Sequence, residues 1–473
     1  MTQLHDMTAL EQAAAVKARQ VSPSELVEHY LDRIDRLDGQ LGAFVTVTAD
    51  AARAEAAAAT RRVLDGAELP ALYGVPLAVK DLNATKGVPT KLGSRVFADW
   101  VPDYDDNVVV RMRQAGTISL GKTSVPEIGL PCYTEPVIGP PARTPWDTTR
   151  LAGGSSGGAA AAVAGGLLPI AQGSDGGGSI RIPASLCGLV GLKPSRGRVS
   201  RGPIDGDAVG LSVLGPLAHT VRDAAAFLDA VAGPMPGDPT WAPPLPAGET
   251  FLAACDRPPG RLRIARTLGS PIATDIDPEV VQAWEEATVL LAGLGHEIID
   301  VDALLPDDAV PLFESVWAAG AAGAPIPPDL EPELVPLTRY LRQRGRALTA
   351  GQYAQAIGGL YTMCRRAIVA MADFDAILTP TLAQLARPVG WFTAGGDPAE
   401  DFERQKRFTP WTALYNSSGQ PAISLPLFQS ASGLPIGIML AGRPAGETAL
   451  LSLAAQVEEA VPWHARHPAI WTQ

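Results

Sequence analysis

Three stretches of this 473-residue chain carry residue types that could do covalent chemistry together. GVPLAVKD (74–81) is an apolar strand in which Lys80 is the only charge until Asp81 closes it. GGSSGG (153–158) offers the hydroxyls of Ser155 and Ser156 in a backbone loosened by four glycines, and DGGGS (175–179) sets an acid, three glycines and a serine in a row. A serine hydroxyl is a weak nucleophile without an adjacent base. None of the six histidines stands in a motif that supplies one, which leaves lysine. A lysine acts as a base only when neutral, so its pKa must fall well below about 10.4, and burial produces that fall. Consecutive glycine N–H groups with no side chains in the way suit a developing oxyanion, and each such donor is typically worth about 2.7–4 kcal/mol of barrier. We therefore expect Gly176, Gly177, Gly178 and Ser179 to line an oxyanion site. Each stretch also has a plainer reading: a strand-end lysine with its amine in water, a flexible linker, a tight turn.

The elements around these stretches follow from periodicity and punctuation. Residues 8–19 and 22–36 are expected as helices, the second opened by Ser22 as N-cap with Pro23 and Glu25. Helices are also expected at about 105–115 and 157–166, through most of 306–370, and at about 447–460. Strands are expected at 74–81, 117–123, 373–381, 420–426 and 434–442, with a β–α–β unit over 261–302. This alternation predicts an α/β fold with one extended mixed sheet between helices and no independent second domain. The expected unit is 1–473, with a core at about 70–225 and a variable, mainly helical pocket segment at about 306–370.

Two motif matches do not fit their structural context. GTISLGKT (116–123) satisfies the Walker A pattern, but its strand lies between the two glycines and a proline follows, the reverse of a P-loop. GGSSG (153–157) satisfies G-x-S-x-G, but a polar turn precedes it where a nucleophile elbow needs an apolar strand.

The block 145–200, PWDTTRLAGGSSGGAAAAVAGGLLPIAQGSDGGGSIRIPASLCGLVGLKPSRGRVS, resembles the amidase signature family of serine hydrolases nearly throughout. The resemblance extends through GVPLAVKD, LGKTSVPE, GPLAHTVRDAA, LTPT and GQPAISLP, and so covers most of the chain. It implies a Ser–cis-Ser–Lys triad in which Ser179 is the nucleophile, Ser155 the bridging serine on a cis peptide, and Lys80 the base. It further implies that Asp175 and Arg181 brace the loop, that Ser156 helps hold Ser155, and that the backbone of Gly129 meets substrate. Departures from the family pattern are Gly176 where Thr or Ile is common, which predicts a more pliable loop, Thr144 where Asn is common, and His219 where Arg is common.

The expected function is hydrolysis of an amide or related C–N bond (amide, anilide, cyclic amide or carbamate), with esterase or urethanase side activity, in a pocket lined by Gly129, Cys132, Tyr133, Phe313 and Trp317. The resemblance also admits the A subunit of a tRNA-dependent amidotransferase. A catalytically silent binding protein on the same fold is the alternative of a different class. No cofactor is expected, and no metal site, since the chain has no paired histidines at i, i+4 and no cysteine cluster. A net charge of −12 argues against nucleic acid as a partner. The N-terminal stretch lacks the pattern of a signal peptide, and the most apolar window, 157–171, is short for a membrane span. The four scattered cysteines suit a reducing compartment, so the expectation is a cytoplasmic monomer or homodimer.

Overall fold

The computed structural model describes residues 3–66 and 68–473; Met1, Thr2 and Ala67, which fall within the stretches read above, lie outside the described residues. Eleven strands are present among them: β1 Phe44–Val47, β2 Pro76–Lys80, β3 Ile118–Thr123, β4 Ile170–Asp175, β5 Val190–Lys193, β6 Val213–Ala218, β7 Arg263–Arg266, β8 Glu297–Asp300, β9 Ala376–Pro380, β10 Ala422–Gln429 and β11 Pro435–Gly442. They form two sheets, of order β1-β3-β2 and β4-β6-β5-β10-β11-β9-β7-β8. The expected β–α–β unit is there, with β7 parallel to both β8 and β9, while the pairs that join β4, β6, β5, β10, β11 and β9 are antiparallel.

The large mixed sheet between helices matches the expected class, but β1, β2 and β3 do not extend its ladder. The join is made by a side chain instead: Gln172 on β4 accepts the Lys80 N–H of β2 at 2.8 Å. That bond fixes the end of β2, where Lys80 stands, against the middle of β4, just ahead of the DGGGS loop.

Among the elements not legible in the sequence are the helices Ala49–Leu64, Pro398–Phe408 and Thr412–Ser418. The capping box at Ser22 is present, with Ser22 N–H donating to Glu25 at 2.7 Å and Glu25 N–H to Ser22 Oγ at 3.1 Å. The helix it opens runs on to Leu41, past the expected end.

The helix Gly157–Ala164 is buried on every face, which its all-small sequence GGAAAAVA permits. Alanine is normally the better helix former by about 1 kcal/mol, yet Gly158 has no room for one. A Cβ there would lie 2.4 Å from Ser124 N and 2.5 Å from Ala43 O. At the far end Arg33 donates to the carbonyls of Gly166 (2.7 Å) and Gly165 (3.2 Å), and His219 Nε2 sits 2.9 Å from Val163 O. A cation and an imidazole thus satisfy carbonyls that a helix leaves open at its C-terminus. The N-terminal end of the same helix begins directly after Ser155 and Ser156.

Candidate active site

Lys80 closes β2, and every residue of that strand is buried. Its side chain turns away from water, so a solvated strand-end lysine is excluded. Lys80 Nζ lies 2.8 Å from Ser155 Oγ, 2.9 Å from Ser174 Oγ and 3.2 Å from Ser174 O. Burial pulls its pKa down to about 7, against the opposing pull of the Asp175 carboxylate. A group so placed spends much of its time at neutral pH as a free amine.

The Gly154–Ser155 peptide is cis. Gly154 packs on the backbone of Tyr133, where a Cβ would come within 2.6 Å of Tyr133 C. Ser156 ties the segment to β4, accepting the Ser174 N–H at 3.3 Å and donating to Ser174 O at 3.2 Å. Its own N–H donates to Ser179 O at 3.2 Å. Gly129 also reaches this point, since a Cβ on it would lie 3.4 Å from Ser155 Oγ. Ser155 is therefore held between Lys80 and the loop that bears Ser179.

That loop is organised by the Asp175 carboxylate, which is fully buried. It accepts Arg181 Nε and Nη2, both at 2.9 Å, the Ile180 N–H at 3.2 Å and Asn416 Nδ2 at 2.8 Å. Burial alone would raise its pKa, but the paired Arg181 guanidinium, with Lys193 and Asn416, holds it well below the usual carboxylate range. Asn416 binds both partners, accepting Arg181 Nη2 at 2.7 Å and donating to Asp175 O at 2.7 Å and Leu211 O at 3.0 Å.

One expected oxyanion donor is spent here. Gly178 N–H donates to Asp175 Oδ1 at 2.7 Å, which removes it from the set. The N–H groups of Gly176, Gly177 and Ser179 have no acceptor among the described residues. Gly178 is needed for shape instead, with φ of 136° and Ile182 Cδ1 2.6 Å from where a Cβ would stand. No hydrogen bond closes between the Ser155 and Ser179 side chains among the described residues; such bonds are often long until substrate binds.

The Asp175–Arg181 pair yields a stability prediction. Arg181→Met leaves a buried carboxylate without its cation, an expected loss of about 3–5 kcal/mol, read from the denaturant midpoint at pH 7. The pair stabilises because the folded pKa of Asp175 is depressed, so its contribution is present above the unfolded value of about 3.9 and disappears as pH falls. The gap between wild type and variant should accordingly narrow in acid.

Ser179 and Gly177 open into a cavity of about 1110 Å³, its mouth included. Cys132, Phe313 and Trp317 line it as expected. Gly129 and Tyr133 do not: Gly129 stands beside Ser155 Oγ instead, while the Tyr133 ring stacks on Phe392 at 4.8 Å and its hydroxyl donates to Asp401 at 2.6 Å, behind the wall. Cys132 is no competing nucleophile, because burial pushes its thiol pKa far up. Phe313 and Trp317 stack at 5.6 Å over the glycine loop, and a Cβ on Gly176 would lie 3.4 Å from the Trp317 ring. Glycine at 176 lets that ring rest against the loop backbone. The opposite wall, which includes Phe402, Gln405, Lys406, Thr409, Trp411 and Leu414, was not foreseen. Contacts with distant parts of the chain bring it there, among them Cys132 N–H to Gln405 and Trp411 Nε1 to the Gly269 carbonyl, and no local pattern marks it.

The Walker-like Lys122 is buried in a structural network. It donates to Asn83 O at 2.6 Å and Thr90 Oγ1 at 2.8 Å, with Asp81 at 3.4 Å.

The geometry thus assembles the parts for nucleophilic catalysis by serine, with a buried lysine where histidine is more usual. The chain belongs to the amidase signature family: the family described as Amidase matches residues 25–451. The "Putative amidase AmiB2" of Mycobacterium tuberculosis is 39% identical over 467 residues, covering 97% of this chain and 98% of the other. The "Acylamidase" of Rhodococcus erythropolis is 33% identical over 471 residues, covering 98% of each chain. Among solved structures, 6-aminohexanoate cyclic dimer hydrolase complexed with substrate superposes with a TM-score of 0.91 at 31% identity, covering 99% of this chain and all of the other. The A chain of the glutamyl-tRNA(Gln) amidotransferase of Thermotoga maritima gives 0.79 at 29% identity, covering 98% and 96%.

Proposed function

We propose that this protein is a stand-alone amide hydrolase working through an acyl-enzyme on Ser179. The observation that carries the reading is the 2.8 Å approach of a fully buried Lys80 amine to Ser155 Oγ, beside the loop that bears Ser179. Ser179 Oγ attacks the carbonyl carbon as its proton passes through Ser155 to Lys80. The oxyanion is held by the N–H groups of Gly176, Gly177 and Ser179. The proton returns through Ser155 to the leaving nitrogen, the C–N bond breaks and the amine departs. Water then attacks the Ser179 ester with Lys80 again taking the proton, and the acid is released. A carbamate follows the same course, its product losing CO₂, so urethanase activity belongs to the same site.

The cycle uses protein groups and water alone. All of its groups come from one copy of the chain, which fits a monomer or homodimer. The cysteines are all free, three of them buried, which fits a reducing, cytoplasmic setting. The higher fold similarity to the cyclic dimer hydrolase favours the stand-alone reading over the amidotransferase one.

The test is covalent. A serine-directed fluorophosphonate should add its mass to the peptide containing Ser179 in the wild-type protein, with loss of p-nitroaniline release from simple anilides. Labelling elsewhere with activity intact would remove Ser179 from the proposal.

A further inference from the structure

The charge inside the cavity is as informative as its shape. Its walls are aliphatic and aromatic, with Ile182, Leu304, Val310, Phe313, Trp317 and Leu414 among them, and its polar lining includes neutral groups such as Thr267, Thr379 and Gln405. Among the described residues lining it, Lys406 alone carries a formal charge. That charge is already engaged. Lys406 Nζ binds both Glu314 and Glu403 and lies 5.2 Å from the centre of the Phe402 ring, while Arg344 Nη2 takes the other Glu314 oxygen at 2.8 Å. Two cations and two anions sum to zero, and Glu314 touches both cations.

We propose that the cavity selects amides without charge on either side of the scissile bond, and that Glu314 sets this preference by masking Lys406. The inference rests on the amide-hydrolase reading and narrows its substrate class. A substrate carboxylate would enter an apolar pocket whose one lining cation is taken, and a substrate ammonium would meet no carboxylate among the described residues of the cavity wall. Either charge loses its water with no partner in return. Glutamine, which carries both charges, is excluded on the same ground. Removing the Glu314 charge leaves Lys406 and Arg344 with Glu403 alone, and the cavity gains a net positive wall.

The test compares pentanoyl and glutaryl p-nitroanilides, which share a leaving group and differ in a terminal carboxylate. For the wild type, kcat/KM should favour the neutral compound by at least about a hundredfold. In Glu314→Gln the glutaryl-to-pentanoyl ratio should rise by about tenfold or more, and Glu314→Gln with Lys406→Met should return it toward the wild-type value. Comparable turnover of both compounds by the wild type would overturn the inference, as would a ratio unmoved in a folded Glu314→Gln protein. Wild-type turnover of the glutaryl compound would leave the hydrolase reading standing. That reading fails separately, if no amide is turned over and Ser179 resists the fluorophosphonate.

Discussion

Ser179→Ala is expected to lower kcat/KM for a neutral anilide by at least about 10⁴-fold. Loss of a nucleophile that acts as one unit with its base removes nearly all of the covalent route, leaving what the oxyanion donors and binding supply. The variant should fold, because no side-chain hydrogen bond of Ser179 is lost, and the loop is held by Asp175, Arg181 and Asn416. KM should change little, since the hydroxyl is small against a wall built by Phe313, Trp317 and Leu414. Activity within tenfold of wild type would assign the chemistry to another group.

Lys80→Met is the second large effect. Methionine keeps the length and apolar character of the buried side chain while removing the amine, so the expected loss is in kcat, by at least about 10³-fold, within the range for general-base catalysis. The wild-type pH profile tests the same group without mutation. With Lys80 held near 7 by burial, its neutral, proton-accepting form dominates above that value. The sign follows: kcat/KM should fall about tenfold per unit below pH 7 and level off above it. Lys193, fully buried beside Asp175 and Arg181, is also held near 7 by burial and by Arg181. The limb belongs to Lys80 if it persists in Lys193→Met. A limb near pH 10 would mean that Lys80 is not poised as a base at neutral pH.

The residues proposed to react stand out in the sequence because each breaks a local rule, and the resemblance to the amidase signature family gives each its role. One charge in an apolar strand, two serines among four glycines and three glycines after an acid are costly unless the fold uses them. The use of Gly178 was not legible, because an N–H declares nothing about its acceptor. Its engagement with Asp175 depends on a loop closure set by Arg181 and Asn416, and Asn416 lies 241 residues from Asp175. Gln172 escaped notice for a related reason, since an amide inside a strand gives no sign that it bonds the backbone of another sheet. Tyr133 was placed in the cavity by its neighbours in sequence, Cys132 among them. The buried Asp401 acceptor, 268 residues away, turns it outward. The one extended sheet was likewise an inference from alternation, which registers strands and helices but not which ladders close.

The proposed catalytic groups and much of the cavity wall come from different parts of the chain. Lys80, Ser155, Ser156, Asp175 and Ser179 stand on β2, β4 and the turns around the helix Gly157–Ala164, all within one hundred consecutive residues. Much of the surface a substrate would touch comes from later segments, 304–317 and 402–415. On the proposed reading, reactivity and selectivity are set by separate segments of the chain. Exchanging those two later segments between related chains would transplant a preference while leaving the bond-breaking apparatus intact, and a randomised library for a new amide belongs there.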